Sequence, residues 1–152
     1  MIEATVEDPA WTTAVPSAVA LAERAAAAAL ADGSVEVAIL LTGDAEVQAL
    51  NARFRGQNTP TNVLSFPAAA GVAGGLGDIA LAYGVCADEA RAQAKPLADH
   101  LQHLVVHGAL HLLGLDHADE AGAEAMEAQE RSILAGLGVP DPYAARAGAT
   151  HV

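Results

Sequence analysis

The segment from Leu97 to about residue 115 constrains this chain more than any other. At about 100° per residue, His100, His103, His107 and His111 fall with Gly114 inside an arc of roughly 80°. The other faces carry Leu101, Leu104, Val105, Val106, Ala109, Leu110, Leu112 and Leu113, so the predicted helix is apolar nearly all round and belongs in the interior. An interior helix that presents four imidazoles along one stripe needs a chemical reason for them.

His107 and His111 stand at i and i+4, the separation at which two imidazoles of one helix face can reach a single tetrahedral metal. Gly114 lets the chain leave the helix in a left-handed conformation, and His117 then swings back as a third ligand. The string HGALHLLGLDH thus supplies three nitrogens. Three neutral histidines with a fourth position open make a catalytic zinc site, whereas structural zinc is usually closed by four protein ligands. His100 and His103 read as solvent-facing or supporting histidines at the helix entrance rather than ligands. His151 has no visible role.

A chain of 152 residues, 53% hydrophobic and 17% charged, reads as a single globular domain over residues 1–152, with a loosely held tail from about residue 140. Seven Lys+Arg against 19 Asp+Glu give −12, which disfavours binding an anionic membrane or nucleic acid through bulk attraction. The single cysteine, Cys86, excludes a disulfide framework and a cysteine-rich metal site. The acidic start MIEATVEDP has no signal-peptide pattern, and the Ala-rich stretch Ala18 to Ala31 is too short to span a bilayer, so a cytoplasmic protein is expected.

Residues 2–7 read as a short edge strand, and an Ala-rich helix runs from Pro16-Ser17 to about Ala31. Val35 to Leu41 reads as a strand, Thr42-Gly43-Asp44 as a turn with a helix N-cap, and Ala45 to Phe54 as a helix. Strands at Asn62 to Phe66 and Asp78 to Ala82 flank the Gly-rich stretch 68–77, which reads as a hairpin connection; a phosphate-binding loop would open a helix instead. Helices follow at roughly 84–95, 97–115 and 119–136, broken by Pro96 and ended by Gly114. The expected fold is α+β: a small mixed sheet of about four strands packed with helices, with the metal helix in the C-terminal half.

The histidine spacing is similar to the metzincin pattern HExxHxxGxxH, but Gly108 stands where those proteases carry the glutamate base. Met126 compares with the methionine beneath a metzincin site, yet its helical spacing with Ile133 favours the core. The chain as a whole resembles the bacterial YbeY endoribonuclease family. The resemblance is carried by HGALHLLGLDH, Leu50-Asn51, Phe54-Arg55-Gly56, Pro60 to Pro67 (PTNVLSFP), Leu76-Gly77-Asp78-Ile79, Met126-Glu127 with Glu130, and Asp141-Pro142-Tyr143. It implies a metalloprotease-like α+β fold and one zinc per chain on His107, His111 and His117. It also implies cleavage of single-stranded RNA in rRNA maturation, notably at the small-subunit 3′ end, and in ribosome quality control. The family's invariant arginine falls on Arg55.

A guanidinium suits a phosphate, and basic residues are scarce here, so Arg55 is the expected catalytic residue outside the metal ligands. Arg53 and Arg55 flank Phe54, a cluster that can hold a single strand by charge and stacking if Phe54 is not core. Ser65 lacks the G-x-S-x-G turn and reads as structural. Asp116 either orients a ligand or closes a turn, and Asp78 is equally open. No protein general base is visible, so attack falls to water or to the RNA's own 2′-OH. A zinc-stabilised ribosome-assembly factor, bound to the small subunit and its proteins, is the alternative, and a metallopeptidase the third.

Overall fold

The computed structural model describes residues 2–30, 35–67, 75–114 and 120–143. In chain order the elements are β1 (Ile2–Val6), α1 (Ala10–Ala14), α2 (Ala18–Leu30), β2 (Glu36–Thr42), α3 (Asp44–Arg55), β3 (Val63–Pro67), β4 (Gly75–Ala82), α4 (Tyr83–Ala92), α5 (Leu97–Leu112) and α6 (Glu120–Gly136). The strands form one sheet in the order β1-β2-β4-β3, with β1, β2 and β4 parallel and β3 antiparallel to β4. This is the small mixed four-stranded α+β arrangement expected from the sequence.

Alternation in the strands assigns the two faces. Val37, Ile39 and Leu41 of β2 join Ile79 and Leu81 of β4 in the main core with α2, α5 and α6. Leu64, Ala80 and Ala82 point the other way and pack on Val47 of α3. A one-residue slip would exchange the two sets, so register is tightly specified. On α2, Ala18, Ala22, Ala25 and Ala26 are fully buried at helical spacing. Their small side chains let α2 lie close against α5, and Arg24 bridges the pair by donating to Gln102 Oε1 at 3.0 Å.

Helix α5 is interior, as its composition requires: Leu101, Leu104, Val105, Val106, Ala109 and Leu110 are buried against α2, α6 and the sheet. Pro96 sets its start and Gly114 follows its end with φ +93°, the glycine-favouring conformation predicted there. Three details differ from the sequence reading. The short helix α1 was not expected, because five residues carry no readable period; it is fixed by Trp11, whose Nε1 donates to the Thr42 carbonyl at 3.0 Å. Asp44 is not a cap for α3, which starts at an uncapped Gly43; its Oδ1 instead accepts from the backbone N–H of Val85 at the start of α4. Tyr143, within the stretch read as loose, is held by side-chain hydrogen bonds described below, and residues 144–152 lie outside the described residues. Among the described residues no helix is long and apolar enough to cross a membrane.

Candidate active site

Three histidines of the stripe are turned onto two carboxylates, and the fourth, His111, onto His107. At the start of α5, His100 Nε2 lies 2.8 Å from Glu89 Oε1 of α4, and Asn62 Nδ2 donates to the same oxygen at 3.1 Å. One and two turns further on, His103 Nε2 and His107 Nδ1 both meet Glu130 Oε1 of α6, at 2.9 and 3.1 Å. The Tyr143 hydroxyl donates to the other oxygen of Glu130 at 2.9 Å. His100 is therefore not solvent-facing, being 3% exposed, and His103 is largely covered as well.

Glu130 is 1% exposed, on the line Met126, Glu130, Leu134 that α6 buries. Burial by itself pushes its carboxyl up, but hydrogen bonds from His103 and His107 outweigh that and hold it at about 2. It is thus a carboxylate and accepts from every partner. With its Nδ1–H donated to Glu130, neutral His107 carries a lone pair on Nε2. That atom faces His111 Nε2 at 3.1 Å, with ring centroids 4.6 Å apart. Two of the three sequence-predicted ligands thus converge through the same ring nitrogen. The third, His117, and its neighbour Asp116 lie outside the described residues. Among the described residues no group of three His, Cys, Asp or Glu side chains makes a complete cation site.

Gly108 occupies the turn between the two histidines. A Cβ there would stand 3.0 Å from both Ile79 Cγ2 and Ser65 Oγ, so α5 lies on the sheet at its glycine. A side chain at this position would have to displace Ser65 or Ile79. Ser65 is structural, as expected: its hydroxyl donates to the Gly108 carbonyl at 3.0 Å. On the same residue, the Ser65 carbonyl accepts from Arg55 Nη2 at 3.0 Å. Ser65 thus carries both contacts, its hydroxyl to α5 and its carbonyl to Arg55. The place of Arg55 is fixed by Gly56, which ends α3 at φ +69°, and by the buried Asn51, whose Nδ2 donates to the Thr59 carbonyl at 2.9 Å and ties down the following loop.

Arg55 also lines a groove of about 700 Å³ on the α3 face of the sheet, together with Arg53, Phe54, Leu40, Phe66 and Asp78. Phe54 is 58% exposed, not core. It leans on Phe66 with centroids 5.1 Å apart, while the Arg53 guanidinium lies 4.9 Å from its ring centre. Asp78 is exposed in β4 opposite Phe66. Met126 is core, 1% exposed, and also lines a small cavity beside His107. Cys86 is fully buried and its thiol pushed far up by that burial, so it offers no thiolate. Glu130, which the sequence reading names only within the resemblance and without a role, is the buried carboxylate on which these side chains meet. The available signal was a carboxylate at the centre of an otherwise apolar helical stripe.

The mixed sheet, the interior histidine helix and the carboxylate behind it define an α+β domain with a buried histidine–carboxylate cluster. Residues 4–138 match the family described as Endoribonuclease YbeY, and the chain belongs to that family. It is 52% identical over 148 residues to the Endoribonuclease YbeY of Paramagnetospirillum magneticum, covering 89% of this chain and 90% of the relative. It is 50% identical over 153 residues to that of Azorhizobium caulinodans, covering 94% and 96%. Among solved structures, the solution structure of TM1509 from Thermotoga maritima is similar with a TM-score of 0.56 at 25% identity, covering 90% of this chain and 91% of that one.

Proposed function

We propose that this protein is a zinc-dependent endoribonuclease that cuts single-stranded RNA, acting on rRNA precursors at the small-subunit 3′ end and in ribosome quality control. The observation that carries the metal half of the reading is the 3.1 Å approach of the His107 and His111 Nε2 atoms. Two nitrogens on one tetrahedral zinc stand roughly 3.3 Å apart. The pair fits, and the Glu130 hydrogen bond leaves His107 Nε2 free of a proton, as a ligand must be. His107, His111 and His117 would hold one ion. When bound, zinc with an open position acidifies water and polarises a phosphoryl oxygen.

The chain's own groups supply the rest. Arg55 offers a planar fork of donors to the phosphate charge that develops on cleavage, and it lies at the edge strand that runs beside α5. Arg91 and Arg131 are paired with Asp88 and Glu127, whereas Arg53 and Arg55 form no ion pair among the described residues and face a groove with an exposed aromatic ring. That is the combination that holds an unpaired strand by charge and stacking in a protein whose net charge of −12 repels RNA elsewhere. The family name carried by its relatives supports the same substrate class. Gly108, pressed onto Ser65 and Ile79, speaks against a metzincin-like peptidase.

The test is incubation of purified, metal-analysed protein with single-stranded and duplex RNA beside His107→Ala and Arg55→Ala. Cleavage of single strands is lost in both, with metal lost only in the first. Equal cleavage in all three sinks the reading. A single 2′-deoxy substitution at the cut position separates the nucleophiles: continued cleavage eliminates attack by the 2′-OH. The charge of −12 favours one second reading, an assembly factor docked on basic proteins of the small subunit. Normal rRNA ends in cells carrying His107→Ala would favour it; accumulated precursor would exclude it.

A further inference from the structure

We infer that Glu130 is the positioning residue of the metal centre: by accepting the Nδ1–H of His107 it fixes the tautomer and ring orientation that turn Nε2 towards His111, and so sets metal affinity. The inference rests on reading His107 and His111 as ligands. A neutral imidazole has one N–H, and whichever nitrogen keeps it decides which is left to ligate. Glu130 makes that choice, since a carboxylate can only accept.

The carboxylate is itself held so that it cannot turn away. His103, one turn before His107, donates to the same Oε1 at 2.9 Å, and Tyr143, from the segment after α6, donates to Oε2 at 2.9 Å. Two other parts of the chain thus converge on this one buried side chain of α6: α5 and the Asp141-Pro142-Tyr143 segment. Stability alone does not account for it. A buried charge cluster is often no more stable than apolar residues of similar volume, and the neighbouring positions of the same stripe are Met126 and Leu134. A carboxylate behind a metal-bound histidine, in contrast, orients the ring and raises its basicity. This also gives His103 a task without making it a ligand.

The experiment uses the full chain, with zinc as the probe. Zinc affinity is measured by competition with a chromophoric chelator, and the His107 tautomer by imidazole nitrogen NMR of the metal-free protein. Wild type shows His107 protonated at Nδ1. Glu130→Leu removes the acceptor; the tautomer is lost and affinity falls about 10–100-fold. Glu130→Gln keeps an acceptor oxygen without the charge, so the tautomer stays and affinity falls less. A folded Leu variant that retains wild-type affinity or the Nδ1–H form overturns the inference. If the Leu variant does not fold, the Gln variant decides, and unchanged affinity overturns it. His107→Ala reports separately on the ligand assignment: wild-type zinc content there would mean that the metal lies elsewhere, whatever Glu130 does.

Discussion

The Ser65 hydroxyl donates to the Gly108 carbonyl across 3.0 Å, fastening the edge strand β3 to α5 one residue beyond His107. The same contact makes position 108 tight, since a Cβ would meet Ser65 Oγ and Ile79 Cγ2 at 3.0 Å. Gly108→Ala is therefore expected to cost about 1–3 kcal/mol through overpacking, partly offset by a gain of about 1 kcal/mol in helix propensity. Ser65→Ala alone should cost about 1 kcal/mol for the lost hydrogen bond. The double variant should lose less than the sum, because removing the hydroxyl clears part of the space. Urea unfolding of the three variants measures this coupling; strict additivity would show that the two residues do not press on each other.

Metal and fold should be linked. An ion bound at 100 times its Kd stabilises the native state by about 2.7 kcal/mol, which for a domain of this size is a rise of roughly 5–10 °C in Tm. Chelation should lower the Tm by that amount in wild type and leave His107→Ala unmoved. A wild-type Tm that ignores complete chelation would separate folding from the metal.

How much of this was legible in the sequence follows from range. The histidine stripe, the interior character of α5, the strands β2 and β4 and the turn at Gly114 are readable because they rest on periodicity or on one residue's backbone freedom. The partners of the stripe are not. His103 and His107 meet Glu130 at separations of 27 and 23 residues, and no local pattern joins them. For His100 and His103 the sequence leaves solvent-facing and supporting roles open, because their partners are distant in the chain; the structure covers them by giving each a carboxylate. Phe54 was ambiguous because helical spacing cannot tell a core ring from one leaning on Phe66 at a groove edge.

Arg55 has two possible duties, a donor to the Ser65 carbonyl and a donor to substrate phosphate, and they predict different kinetics. Removing one stabilising donor to developing charge lowers kcat by about 10²–10³-fold. Arg55→Ala is expected to do so with zinc content unchanged and little loss of stability, since its hydrogen bond is exposed. Arg55→Lys should recover only part, because an ammonium lacks the planar fork. Wild-type kcat in Arg55→Ala would leave the arginine as a cover for the strand edge alone.

Phe54 should act on binding rather than on the chemical step. A base stacked on an exposed ring contributes about 1–3 kcal/mol, so Phe54→Ala should weaken single-stranded RNA binding by roughly 5–150-fold. At 58% exposure the ring adds little to the core, and the Tm should hold. Arg53→Ala should weaken binding and flatten its salt dependence, with kcat retained. RNA titrations at several salt concentrations measure both effects; unchanged affinity in Phe54→Ala would place the strand away from the α3 face.

Acid should destabilise the metal-free protein in two stages. Burial lowers the pKa of His100, and the opposing hydrogen bond to Glu89 does not restore it. An unfolded histidine titrates near about 6.5, so below that pH the unfolded chain takes up a proton that folded His100 does not, and stability falls until His100 itself charges. Glu130 acts lower down. Its folded value of about 2 lies under the ordinary 4.5, so its contribution is complete above about 4.5 and is lost as the pH falls from there towards 2. Urea midpoints of the chelated protein between pH 8 and 3 should therefore decline first below about 6.5 and again below about 4.5. His100→Leu should flatten the first decline and Glu130→Gln the second. A wild-type midpoint that stays level from pH 8 to 5 would mean that His100 is not held neutral in the fold.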